Sequence, residues 1–224
     1  LPTLEGSGIV YVLTVRDAKR VVQWLQSRHI SAEAYYGDIS NEERIRLENA
    51  LQDNHLKVLV ATSALGMGFD KPDLAFVVHY QTPSSVVAYY QQVGRAGRAL
   101  PTAYGVLLSG HEELELADYF IRSAFPTPDE VKSVLTVLEE APEGLSRNDL
   151  LSRVNLSWGR LHTALMLMEL ESPSPIVNDS GCWRRTMNPL PRAFWERVNR
   201  ITSLRRQELA QMQKYVQLPF GSHM

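Results

Sequence analysis

The 224-residue chain has a single cysteine, Cys182. One thiol excludes an internal disulfide and any zinc site built from several thiolates, and it suits a reducing compartment. Long apolar runs are also missing. No stretch approaches the roughly 18 residues that span a bilayer, and the opening LPTLEGSG has neither the charged nor the apolar region of a secretion signal. A soluble, cytoplasmic protein without a membrane partner is expected. Charge of one sign is scarce as well: 23 Lys and Arg against 25 Asp and Glu leave a formal −2, so any contact with nucleic acid must come from a local patch. His29, His55 and His111 are scattered without metal-ligand spacing, and Glu139, Glu140 and Asp149 make no convincing catalytic pair. No metal site is expected.

What is present is core-forming material, 44% hydrophobic, enough for one large core or two smaller ones, and two domains are expected. Residues 8–13 (GIVYVL) read as a buried strand, and Ala18, Val21, Val22 and Leu25 then recur at the spacing of an amphipathic helix. AEAYY is a second short strand, after which Ser40 and Glu43 make a capping box opening a helix to about residue 53. KVLVAT (57–62), AFVVHY (75–80) and YGVLLS (104–109) are further strands. Strands alternating with helices predict an α/β fold with a parallel sheet over residues 1–125, whose ligands gather in loops at the carboxyl ends of the strands.

From about residue 125 the pattern changes. Three helical stretches and a hairpin turning at Asn178–Gly181 predict a mostly helical winged-helix domain over 126–220, closed by a charged helix from about 190 to 216. The last four residues, 221–224 (GSHM), resemble the remnant of a cleaved tag, and the abrupt start suggests a cut fragment.

Two stretches carry chemistry. In SSVVAYYQQVGRAGRA (84–99), Arg95 and Arg98 stand one helical turn apart, each after a glycine, as a fork of donors suited to phosphate oxygens. Gly94 and Gly97 weaken a helix, which implies that backbone there approaches something closely. In ATSALGMGFDKPD (61–73), Thr62 ends a strand, Gly66 and Gly68 let the loop bend, and Asp70 can accept hydrogen bonds from ribose hydroxyls. The two stretches are expected at adjacent strand ends of one sheet.

Residues 8 to 110 resemble motifs IV to VI of superfamily 2 helicases, and specifically the RecQ family: VLVATSALGMGFDKPDLAFVVHY is similar to its motif V region and YYQQVGRAGRA to its Q-x-x-G-R-x-G-R motif VI. The resemblance implies a second RecA-like lobe that closes over ATP held by a first lobe. Arg95 and Arg98 would reach the γ-phosphate as arginine fingers and Gln91 would be the motif glutamine. Gly68 and Asp70 would contact nucleotide or couple it to DNA, while Thr14 and Thr62 would lie near the DNA backbone.

There are departures. Ala99, Leu100 and Pro101 stand where the family commonly has Asp-Gly, and Phe69 replaces the usual isoleucine. The four-cysteine zinc subdomain usual before the winged helix is missing, so the chain resembles a zinc-free branch. The phosphate-binding loop and the acidic magnesium motif of a first lobe are missing too, which leaves half an ATPase, inactive alone, with Mg2+ held mainly by the absent lobe.

In the second domain Trp158 and Arg160, at the start of the longer helix, and Trp183, Arg184 and Arg185 in the wing are the candidates for DNA contact. The reading is the C-terminal part of an ATP-dependent 3′–5′ DNA helicase acting on single strands and duplex junctions. An RNA helicase of the same superfamily, or a non-catalytic winged-helix binding module, are the alternatives.

Overall fold

The computed structural model describes residues 3–66, 68–110 and 112–219. The expected remnant at 221–224 lies outside them. By packing, the chain divides into Leu1–Ala117 with Gln207–Met224, and Asp118–Arg206.

The first unit is built on five short parallel strands: β1 (Gly8–Tyr11), β2 (Ala32–Tyr35), β3 (Val58–Ala61), β4 (Phe76–His79) and β5 (Tyr104–Leu107), in the order β2-β3-β1-β4-β5. Side chains alternate across the sheet. Ile9, Tyr11, Leu59, Ala61 and Val77 bury on one face with Leu47 and Leu51 of helix α2 (Asn41–Gln52). Val10, Val58, Val60, Phe76 and Val78 bury on the other with Ala18, Val22 and Leu25 of α1 (Val15–Ser27). Burial on both faces explains why β1, β3 and β4 read as continuous apolar runs.

The structure differs from the sequence expectation at two points. β3 and β4 are not neighbours, because β1 lies between them. The chain from 62 to 75 must therefore carry a parallel connection from the carboxyl end of β3 to the amino end of β4, and it does so across one face, burying Leu65 and Leu74. The capping box at Ser40 is only half made. Ser40 Oγ accepts from the Glu43 amide at 3.2 Å, but the Glu43 carboxylate turns to Arg46 at 2.7 and 2.8 Å.

The second unit follows the winged-helix order, with α5 (Pro128–Glu139), β6 (Leu145–Ser146), α6 (Arg147–Arg153), α7 (Trp158–Glu169), β7 (Ile176–Asp179) and β8 (Cys182–Arg185). The strands form an antiparallel sheet, β6-β8-β7, over a core of Val134, Leu138, Leu150, Leu161, Leu165, Met168 and Trp183. Ser180 and Gly181, both at positive φ, make the two-residue turn of the wing. A complete capping box, in which Thr127 and Glu130 exchange bonds, starts α5.

Helix α4 (Glu112–Ser123) and the two-residue β6 had no clear sequence signal. Helix α8 (Arg192–Val216) was expected wholly in the second domain, yet residues from Gln207 onward group with the first unit. The cause is aromatic: Tyr215 packs on Tyr89 at 5.3 Å and on Tyr90 at 5.9 Å between ring centroids. Among the described residues no helix is long and apolar enough to cross a membrane.

Candidate functional site

Helix α3 (Val86–Val93) stops sooner than its sequence suggests, so the two arginines do not share a helical face. Gly94 caps it, its amide bonded to the Tyr90 carbonyl at 2.9 Å, and a Cβ there would stand 2.9 Å from the same oxygen. Gly97 sits at φ +78, where a Cβ would come within 2.8 Å of Ala103 Cβ. The glycines are thus required by close approach of the chain to itself.

The irregular path after α3 separates the roles of the arginines. Arg95 turns inward, donating from Nη1 to the Phe69 carbonyl at 2.8 Å and from Nη2 to the Gly66 carbonyl at 3.0 Å. It staples the 62–75 loop to the end of α3. Its guanidinium also lies beside Tyr11, whose hydroxyl burial pushes up to about 12. Arg98 turns outward, half-exposed, and donates from Nη1 to Asp70 Oδ1 at 2.8 Å. An exposed pair of this kind is worth little and is easily exchanged for a better anion.

These residues frame a cleft of about 490 Å³ lined by Gly68, Phe69, Asp70, Tyr90, Gln91, Gly94, Arg95 and Arg98. All five residues expected to handle nucleotide and phosphate are therefore in one place. The cleft can offer guanidinium donors, a side-chain amide and an exposed tyrosine ring to an anionic ligand. Its one carboxylate is Asp70.

The layer beneath it was not foreseen. Gln92, the neighbour of Gln91, shares a 2.8 Å hydrogen bond with Nε2 of fully buried His79, whose ring stacks on Tyr11 at 5.5 Å and packs on Tyr89 at 4.9 Å. Burial pushes the His79 pKa below its ordinary value. Lys71 is likewise buried, its Nζ donating to the Gln52 carbonyl at 3.1 Å and to Asp73 Oδ1 at 2.7 Å, so an ammonium neutralises the carboxyl end of α2 and anchors the loop. A lone histidine ending an apolar strand was the available signal for the first; nothing marked the second.

Thr14 and Thr62 follow neighbouring strands, β1 and β3, and occupy the carboxyl edge of the sheet. Both hydroxyls work locally. Thr14 Oγ1 caps α1, accepting from the Asp17 amide at 3.0 Å and donating to the Asp17 carboxylate at 2.7 Å, and Thr62 Oγ1 accepts from the Ala64 amide at 3.4 Å.

In the second unit the expected DNA contacts divide sharply. Trp183 is 1% exposed and belongs to the core, so it cannot stack on a base. Arg160 is consumed by a fork onto the Glu130 carboxylate, with Nε at 2.9 Å from Oε1 and Nη2 on Oε2, and by the Ser123 carbonyl at 2.5 Å. The guanidinium beside Glu130 holds its carboxyl below the usual range. Arg185 bonds the Pro175 and Asn188 carbonyls at 2.6 and 2.7 Å and Glu139 at 3.3 Å, bracing the base of the wing. Arg184 and Trp158 remain exposed. Arg184 bonds the Glu143 carbonyl at 3.1 Å, and Trp158 stacks on His162 beneath the Arg147 guanidinium. Among the described residues no group of three or more His, Cys, Asp or Glu is placed to hold a metal ion.

Against known proteins, residues 3–100 match the helicase conserved C-terminal domain. The chain is 34% identical over 166 residues to a Bacillus subtilis protein described as the probable ATP-dependent DNA helicase RecS, covering 74% of this chain and 33% of that one. It is 36% identical over 163 residues to the ATP-dependent DNA helicase RecQ of Synechocystis, covering 72% and 32% respectively. A RecQ-like DNA helicase of Caenorhabditis elegans, blm-1, is 40% identical over 111 residues, covering 49% of this chain and 11% of that one. The chain spans about a third of the length of the first two relatives.

Proposed function

We propose, from the match of residues 3–100 to the helicase conserved C-terminal domain and the likeness to RecQ and RecS helicases, that the chain is the second motor lobe and winged-helix domain of an ATP-dependent 3′–5′ DNA helicase. The observation that carries the reading is the cleft in which Gln91, Arg95, Arg98, Gly68 and Asp70 converge. Its ligand would be the terminal phosphates of ATP presented by a first RecA-like lobe, which is the partner this surface needs.

Each residue has a distinct part. Arg98 leaves Asp70 for the γ-phosphoryl oxygens and balances the charge that develops on them during transfer. Arg95 holds the loop in place so that Gly68 and Asp70 keep their positions. Gln91 orients groups at the edge of the cleft. Mg2+ would accompany the nucleotide, but the donors here do not fit it: Asp70 is a single carboxylate already facing Arg98. The metal belongs to the other lobe.

With no phosphate-loop motif in the sequence and, among the described residues, no group placed to hold a metal ion, the chain by itself should hydrolyse no ATP, while the full-length protein should show hydrolysis stimulated by DNA and strand separation. A full-length protein with no DNA-stimulated turnover would contradict the reading, as would turnover by the chain alone that R98A abolishes.

A further inference from the structure

The winged-helix contacts expected from sequence are largely spent on the fold, since Arg160, Trp183 and Arg185 hold their own domain together. A separate surface in the same unit is better equipped. Residues 192–206 of α8 contain five arginines and one glutamate, a net +4 in a chain whose total is −2.

The arginines fall into two groups around the helix. Phe194, Val198 and Ile201 form the inward stripe, and Arg205 lies near that side with its guanidinium 5.3 Å from the Phe125 ring. Arg197 pairs with Glu171. At about 100° per residue, Arg192, Glu196, Asn199, Arg200, Ser203 and Arg206 project on the opposite side within roughly 120° of one another. All six are exposed. Glu196 lies between Arg192 and Arg200 at i+4 spacing from each, yet among the described residues no ion pair joins it to either, and Arg206 has no carboxylate partner. By contrast, α2 mixes its signs, and its Arg46 is held by Glu43.

We infer that this face of α8 is a binding surface for the sugar–phosphate backbone of DNA, a second contact beside the winged-helix core; the inference rests on the nucleic-acid reading above. The spacings of eight and six residues set the three arginine backbone positions about 12 and 9 Å apart along the axis at 1.5 Å per residue. That is a ladder long enough to follow a phosphate strand. Between them on this face stand Asn199 and Ser203, which like Arg commonly bond phosphate oxygens, and Glu196, so three guanidiniums face one carboxylate. A protein partner would need an apolar centre, which this face lacks. Contacts of this kind go to phosphate oxygens rather than to base edges, so the binding should be largely indifferent to sequence and sensitive to salt.

The test uses the 224-residue chain and a labelled duplex carrying a single-stranded tail, with affinity measured over a range of salt concentrations. In the R192A/R200A/R206A variant, affinity should fall about tenfold or more, and the slope of log K against log salt should shrink by about 2 to 3, since each lost phosphate contact removes about 0.7 to 0.9. The matching triple lysine variant should retain most of both, and R197A, off that face, should change neither. Unchanged affinity and slope in the triple alanine variant would remove α8 from the interface and leave the ATPase reading, which depends on Arg98, untouched. Failure of the unaltered chain to bind at low salt, or competition by polyglutamate as effective as that by DNA at equal charge, would also overturn the inference.

Discussion

At the scale of single residues, partners decide roles more than residue type does. Arg95 and Arg98 are three positions apart, yet one is stitched to two backbone carbonyls and the other faces solvent through Asp70. The sequence showed that both matter; it could not show which way each turns, because the turn depends on α3 ending at Val93 and on Gly97 adopting a positive φ. His79 carries a measurable consequence. Its neutral ring donates from Nε2 to Gln92, and burial disfavours the cation, so the folded state binds a proton less readily than the unfolded chain. Stability from this group is present above the ordinary value of 6.5 and is lost as the pH falls below it. The loss should not exceed about 1.4 kcal/mol per pH unit, and H79Q should flatten it. Urea unfolding from pH 8 down to pH 5 checks this; an identical pH profile in H79Q would show that the histidine is not the titrating group.

At the scale of elements, the sequence was most legible where one pattern has one outcome. Buried parallel strands must be apolar on both faces, and β1, β3 and β4 were readable for that reason. The wing was readable from Asn178, Ser180 and Gly181, which suit a tight hairpin. Contacts between elements were not legible, and the joint between α5 and α7 shows why. Arg160 looked like a phosphate ligand at the start of α7, but Glu130, thirty residues earlier, completes a capping box and receives the guanidinium fork. R160A should therefore destabilise the second unit by about 1.5 to 3 kcal/mol, the worth of hydrogen bonds to a charged group, and leave DNA affinity nearly unchanged. The pair also sets a pH dependence. The Glu130 pKa is lowered on folding, so its stabilisation is complete above the ordinary glutamate value of 4.5 and disappears as acid titrates it below that. Thermal melts of R160A at pH 7 and in acid check both points; equal melting temperatures at pH 7 would show the fork to be ornamental.

At the scale of the whole molecule, the chain carries a stretch matching the helicase conserved C-terminal domain, residues 3–100, followed by a unit in winged-helix order. The parallel sheet and the winged-helix order were inferable from alternation and turn signals, and the Q-x-x-G-R-x-G-R stretch carried the resemblance to a helicase motif. The layout that brings Gly66, Phe69 and Asp70 to the arginines was not inferable, because β1 intervenes between β3 and β4 and the loop must cross a sheet face to reach them. In the proposed reading the cleft lined by Gln91, Arg95, Arg98, Gly68 and Asp70 is one half of a phosphate site and a facing lobe would complete it. The most direct test is single-turnover ATP hydrolysis by the full-length protein with DNA saturating, comparing R98A, R98K and R95A after each is shown to be folded. Arg98 should behave as the finger: R98A should lose about 10³ to 10⁵ in turnover with ATP and DNA binding little changed, and R98K should recover only part of it. R95A should lower thermal stability as well as turnover, since it releases the loop. Near-normal turnover in R98A would contradict the assignment of this cleft to phosphoryl transfer.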